Sequence, residues 1–241
     1  MSEGPIGRAH RNEEDDMKVL EQLHGGLIVS CQAYPGEPML DPRTMAQVAA
    51  SVVRGGAVGI RAKGLDDLRA IREAVSVPII GLVKVGTDGV FITPTLDDCL
   101  AVADTGVEIV ALDGTRRRRP DGLTLAQTID GLRQAYPDVL VMADCGSAAD
   151  AAAAADAGAD ILGTTLAGYT GERPKTEGPD WECVEGVVAL GRGPVFVEGR
   201  IHTPEQAAEA MRRGATAVVV GTAITHPASI TRWFADAVAR D

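Results

Sequence analysis

The chain is poor in aromatic residues. Phe, Trp and Tyr make up 3% of its 241 residues, against 45% apolar residues in all. A core without many rings is built of Val, Ile, Leu and Ala, and a chain of this length buries a large one. No cysteine pair has the C-x-x-C spacing, since Cys31, Cys99, Cys145 and Cys183 stand far apart. Scattered cysteines inside apolar stretches read as buried free thiols, which suits a reducing cytoplasm. His10, His24, His202 and His226 lack ligand spacing, so no structural zinc is expected. No apolar run is long enough to cross a bilayer, and the opening MSEGPIGRAHRNEEDD lacks the apolar centre of a secretory signal. Residues 1–16 are expected to form a disordered tail before a short helix near Met17–Leu23, with the domain spanning 17–241. Net positive charge is also absent. The net charge is −11 and Arg116–Arg119 is the basic cluster, so neither nucleic acid nor membrane is an expected partner.

What the chain has is alternation. Short β-branched runs near Leu27–Cys31, Ala57–Ala62, Pro78–Lys84, Val107–Leu112, Val139–Ala143, Ile161–Thr165, Pro194–Val197 and Ala217–Val220 read as strands. Helical stretches follow each of them. Asp41-Pro42, Ser147 and Thr203-Pro204-Glu205-Gln206 read as helix starts with side-chain caps. Strands alternating with helices imply parallel pairing through right-handed crossovers. Eight such units predict an α/β fold, a single (β/α)8 TIM barrel of the phosphate-binding type. A doubly wound open sheet is the competing arrangement, but no glycine-rich dinucleotide fingerprint follows the first strand.

In such a barrel the active site forms where strands end. Polar residues at those ends are Gln32, Arg61, Lys84, Asp113, Asp144, Thr165, Glu198 and Arg200. Lys84 closes the run PIIGLVK, where a buried ammonium is costly unless it is paired, reaches solvent or loses its proton. A lone Arg or Asp at a strand end usually anchors a loop. Several ionisable groups at one rim point to chemistry instead. Strands seven and eight run into Glu198-Gly199-Arg200 and Gly221-Thr222. Glycines in these two loops let backbone N–H groups approach a phosphate, and Arg200 adds a charged donor. The alternative is that these glycines only make tight turns. The run Arg116–Arg119 follows strand four, where it is either a solvated loop or a means of steering an anion.

The segments LIVSCQAYPGEP, GGAVGIRAKG, PIIGLVK, ITPTLDD, ALDGTRRRRPDG, ILGTTLAGYT, VFVEGRIHTPEQA and VVVGTAITHP occur in this order. Together they resemble the N-acetylmannosamine-6-phosphate 2-epimerases, from about Gly25 to Phe234. The resemblance implies interconversion of N-acetylmannosamine 6-phosphate and N-acetylglucosamine 6-phosphate, without a cofactor, in amino-sugar and sialic acid catabolism. It implies catalytic roles for Lys84 and Glu198 and substrate contacts from Gln32, Arg61 and Asp144. Thr165, from its strand-end position, is a further candidate substrate contact, and the two glycine loops assign phosphate to Gly199, Arg200, Gly221 and Thr222. Two positions depart from the family. The loop after strand five reads ADCGSAAD where ADIST is more typical, which alters the setting of Asp144, and Gly114 stands where alanine is common.

The chemistry asks for a base at C2 and for stabilisation of the enolate. Lys84 serves as base only when neutral. Glu198 either returns a proton to the opposite face, or positions a hydroxyl while Lys84 handles both transfers. Both routes are open at the level of sequence. Rival readings are another phosphosugar isomerase, a Schiff-base aldolase acting through Lys84, and a non-catalytic sugar-phosphate-binding protein. The last helix carries Ile230, Trp233, Phe234 and Val238, an apolar stripe that either covers core or forms a homodimer seam.

Overall fold

The computed structural model describes residues 13–239. Eight parallel strands close into a barrel in chain order: β1 (Leu27–Cys31), β2 (Gly59–Lys63), β3 (Ile79–Leu82), β4 (Ile109–Asp113), β5 (Leu140–Asp144), β6 (Ile161–Gly163), β7 (Val195–Glu198) and β8 (Ala217–Val220). The ring shuts where Ile28 of β1 lies beside Val219 of β8. Around it run α2 (Pro42–Arg54), α3 (Leu65–Ala74), α4 (Leu96–Ala103), α5 (Leu125–Ala135), α6 (Ala148–Asp156), α7 (Trp181–Ala189) and α8 (Pro204–Arg212). This is the expected (β/α)8 architecture.

Local chemistry starts the helices where the sequence places them. Asp41 accepts from the N–H of Thr44, Ser147 from that of Asp150, and Thr203 forms a capping box with Gln206. Each cap satisfies an N–H that has no partner within its helix.

Alternation along the strands sorts two layers. Ile28, Ile80, Leu82, Ile109, Leu140, Met142, Ile161, Phe196 and Val219 fill the barrel interior. Their neighbours Val29, Ile79, Val110, Leu112 and Val141 pack outward against helices. The interior register continues up the strands to Gln32, Arg61, Lys84, Asp144, Thr165, Glu198 and Gly221. Each differs by an even number of residues from an interior position or, for Arg61, from the inward-facing Gly59.

α1 (Glu13–Leu23) closes the opposite, N-terminal end of the barrel. Leu23 is fully buried in the interior cluster, with Val19 and Leu20 packed against it. β2 meets it with Gly59, where an added Cβ would lie 2.5 Å from Leu23 Cδ2. The expected helix therefore begins four residues early, at Glu13 rather than Met17. The rest of the expected tail, residues 1–12, lies outside the described residues.

Two strands end earlier than expected. β3 ends at Leu82, because its ladder with β4 ends at Gly81 beside Val110. Beyond it the chain forms an antiparallel hairpin: Thr93 N–H donates to Val83 O, Val85 N–H to Phe91 O, and Lys84 bridges Ile92. β6 stops at Gly163, leaving Thr165 in the following turn. A short helix, α9 (Thr222–Thr225), precedes the final helix α10 (Pro227–Val238) and was not anticipated.

Leu23→Ala should lower unfolding free energy by about 2–5 kcal/mol, the usual range for a fully buried leucine. Chemical denaturation checks this. An unchanged midpoint would show that α1 does not seal the barrel.

Candidate active site

A cavity of about 290 Å³ opens at the C-terminal mouth of the barrel. Gln32, Arg61, Lys84, Thr165, Glu198, Gly199, Arg200, Gly221 and Thr222 all line it. Of the ten residues given catalytic, substrate or phosphate roles from the sequence, Asp144 alone does not. It lies fully buried, below the floor.

Asp144 holds the floor together. Arg61, 1% exposed, donates from Nη1 to Asp144 Oδ1 at 3.1 Å and from Nη2 to Oδ2 at 2.6 Å. Burial pulls the guanidinium toward neutrality, but Asp144 and then Glu198 more than offset this, so its pKa lies above the ordinary value. Arg61 Nε is buried without a hydrogen bond of good geometry, 3.2 Å from Glu198 Oε2.

Thr165 ties the two carboxylates to each other. Its Oγ1 lies 2.6 Å from Asp144 Oδ1 and 3.1 Å from Glu198 Oε2. A hydroxyl has one proton, so it cannot donate to two carboxylates. The chain is complete when Glu198 carries a proton, donates to Thr165, and Thr165 donates to Asp144. Burial raises the Glu198 pKa, Arg61 lowers it in part, and Asp144 raises it further. Burial and Asp144 outweigh the lowering by Arg61, Thr165 and Lys84, so the acid holds its proton to higher pH than usual.

Lys84 is held differently. The Val83–Thr93 hairpin carries it over the mouth, fastened by Val83 N–H to Thr93 Oγ1 at 3.2 Å and Thr93 Oγ1 to Ala111 O at 2.6 Å. Its Nζ donates to the Tyr34 hydroxyl at 3.0 Å. Gln32 contributes a buried Oε1 with no partner, while its Nε2 donates to Ser30 Oγ at 3.0 Å. That free acceptor suits an N–H or O–H of a bound molecule.

The loops after β7 and β8 form one wall. Gly199 and Arg200 take left-handed backbone, φ 117° and 55°. That conformation is strained for a non-glycine residue and accumulates at functional sites. Arg200 is less free than sequence suggests. Its guanidinium donates to Gly178 O, Ala167 O and Thr176 Oγ1, and stacks on Tyr169. Five N–H groups less three engaged leaves two for an anion. Gly221 and Thr222 open α9, whose first N–H groups have no intrahelical partner.

Sequence reasoning missed Tyr34, Phe91, Tyr169 and His226, all on the cavity wall. Position was the available signal, since each lies in a loop after a strand end. His226 pairs with Glu37 and thereby joins the loop after β1 to the start of α10. Asp113 stays outside, bound to Arg117 at 2.6 Å and to Thr115. Arg116 pairs with Asp150 and Glu172, so much of the basic run is neutralised by its neighbours. Gly114 follows from close approach, as a Cβ there would lie 2.6 Å from that of Ala143. Among the described residues, no cluster of His, Cys, Asp or Glu is arranged to hold a metal ion, and no helix is long and apolar enough to cross a membrane.

A family model described as "Putative N-acetylmannosamine-6-phosphate epimerase" matches residues 45–240. A Cutibacterium acnes protein named "Putative N-acetylmannosamine-6-phosphate 2-epimerase" is 60% identical over 223 residues, 92% of this chain and 97% of its own length. One of the same name from Caldanaerobacter subterraneus subsp. tengcongensis is 46% identical, covering 90% of this chain and 93% of its own. The solved N-acetylmannosamine-6-phosphate 2-epimerase from Clostridium perfringens superposes with a TM-score of 0.86 at 36% identity, over 97% of this chain and 99% of that one. A thiamine phosphate pyrophosphorylase from Pyrococcus furiosus, 17% identical with a TM-score of 0.58 over 86% of this chain and 89% of its own, shares the barrel alone. The chain thus belongs to the N-acetylmannosamine-6-phosphate epimerase family.

Proposed function

We propose that this protein interconverts N-acetylmannosamine 6-phosphate and N-acetylglucosamine 6-phosphate by removing and returning the C2 proton of the open-chain sugar. The carrying observation is topological. Lys84 follows β3 and Glu198 ends β7, four strands apart in a ring of eight, yet both line one cavity. A sugar between them presents one face to an amine and the other to a carboxylic acid.

Neutral Lys84 takes the C2 proton, and the C–H electron pair moves toward the C1 oxygen as an enolate. Protonated Glu198 returns a proton to C2 from the opposite face, and the electron pair moves back. The step leaves Lys84 as ammonium and Glu198 as carboxylate, and exchange with solvent resets both. Nothing is oxidised, so the reaction needs no redox partner. Arg61 and Thr165 hold Glu198, and Asp144 acts from beneath by holding both. Gln32 accepts from the sugar. The Gly199-Arg200 and Gly221-Thr222 backbones grip the phosphate, as the corresponding loops do in barrels of this type. Four buried free thiols fit a reducing cytoplasm.

A second copy of this chain is the partner we propose for α10. No residue of that helix is buried, and Phe234 and Val238 are 70% and 78% exposed. Trp233 packs on the cavity-wall residue His202 at 4.8 Å between ring centroids, so the seam would border the site.

Three measurements test these readings. NMR of the protein mixed with N-acetylmannosamine 6-phosphate should show the gluco epimer growing in, and Lys84→Ala should abolish it while phosphosugar binding stays within about tenfold. Turnover by that variant would remove Lys84 from its role. Glu198→Gln keeps the size and a donor, and should lower kcat by roughly 10²–10⁴-fold, the worth of a positioned proton donor. Sedimentation should give twice the chain mass, reduced to one by Phe234→Glu. A wild-type monomer would dismiss the α10 seam.

A further inference from the structure

Lys84 does not stand alone above the cavity. Its Nζ lies 5.0 Å from the centre of the Tyr34 ring, and Lys63 Nζ lies 5.1 Å from the same centre. We propose that Tyr34 is a positioning residue for Lys84, and that Lys63 is a second cation on the same ring whose charge acts on Lys84. The inference rests on Lys84 being the base, as argued above.

The reason lies in the partner type. A base that takes and returns a proton is an amine for half the cycle and an ammonium for the other half. A carboxylate would hold only the ammonium, and a backbone N–H only the amine. A hydroxyl serves both, accepting from the ammonium and donating to the amine. The Tyr34 hydroxyl, 3.0 Å from Nζ, can keep the nitrogen in place through the whole exchange. The phenol is fixed from behind, because its backbone N–H donates to Glu37 Oε2 at 2.8 Å and Glu37 pairs with His226.

Lys63 acts through charge. Two ammonium groups on one ring repel, and each favours the neutral form of the other. Burial lowers the Lys63 pKa first and Lys84 lowers it next, while Asp67 and Glu37 oppose. Interaction between the two amines is mutual. The other charged groups that face Lys84 are Glu198 and Arg61 across the cavity, with His226 behind Tyr34. Glu198 attracts the ammonium only when ionised, and burial together with Asp144 favours its protonated form over the opposing pull of Arg61. Lys63 is therefore the cation that shares the Tyr34 ring with Lys84 and stands outside the buried network of Arg61, Thr165 and Asp144.

The test is the pH dependence of kcat/KM, whose acid limb reports the base in the free enzyme. Tyr34→Phe should lower kcat about tenfold with KM within about threefold, since one hydrogen bond is lost and the ring remains. Lys63→Gln should move the acid limb to higher pH by about half a unit, because an amine freed from a neighbouring cation binds its proton more readily. Lys63→Arg keeps the charge and should keep the limb in place, which a purely structural role would not predict. Unchanged kcat in Tyr34→Phe would overturn the positioning role. Coincident limbs in wild type and Lys63→Gln would overturn the charge role. Lys84→Ala run alongside separates the two levels: if it is inactive while Tyr34→Phe is normal, only this inference fails. If Lys84→Ala turns over, the base assignment itself fails.

Discussion

The ion pair between Arg61 and Asp144 sits under everything else. Both side chains are essentially without water, at 1% and 0% exposure. Two charges in that setting are tolerable only as a pair with its hydrogen bonds made, and removing one partner typically costs 3–5 kcal/mol. Here the two parallel bonds of the guanidinium fork meet both carboxylate oxygens. Each member also reaches one further group: Arg61 Nε lies 3.2 Å from Glu198 Oε2, and Asp144 accepts from Thr165. The geometry of Glu198 is inherited from a pair that never reaches solvent.

The barrel supplies that arrangement through register. Residues two apart on a strand share a face, so strands that fill the interior with Ile, Leu and Val deliver their next even residue to the mouth. Arg61 follows Gly59, Asp144 follows Met142, and Glu198 follows Phe196 along their strands. The N-terminal end is sealed by Leu23 and the C-terminal end stays polar. One end of the closed sheet therefore carries stability and the other chemistry.

How much of this was legible in the sequence follows from whether its cause is local. The order of the eight strands, helix starts at Asp41, Ser147 and Thr203, and the collection of ionisable groups at one rim depend on neighbours in the chain, and they were readable. The hairpin under Lys84 was not, because it hangs on Thr93, ten residues on, reaching back to Val83 and across to Ala111. Nor was the commitment of Arg200, whose donors go to Ala167 and Gly178 in a different loop. Asp144 read as a substrate contact because its strand-end position cannot say how deep the mouth is. The long reach of Arg61 places the cavity floor above it. Tyr34 and Lys63 were passed over for a related reason. A tyrosine in a loop and a lysine at a strand end carry no shared pattern until the fold lays them against the same neighbour.

The two sides of the cavity are built to different standards. Glu198 touches Arg61 and Thr165, both tied into the buried floor, so its oxygen has little freedom. Lys84 ends a long flexible chain and meets a half-exposed phenol. An acid that must keep its proton gains from desolvation and fixed donors, which burial provides. A base that must shed and regain one gains from solvent within reach and a partner that accepts either state. On the roles proposed for Glu198 and Lys84, an acid at the end of a barrel strand and a base on a hairpin above the rim meet both demands with one scaffold. The asymmetry follows from the proposed chemistry, since one group must meet C2 still carrying its proton and the other must meet it as a free amine.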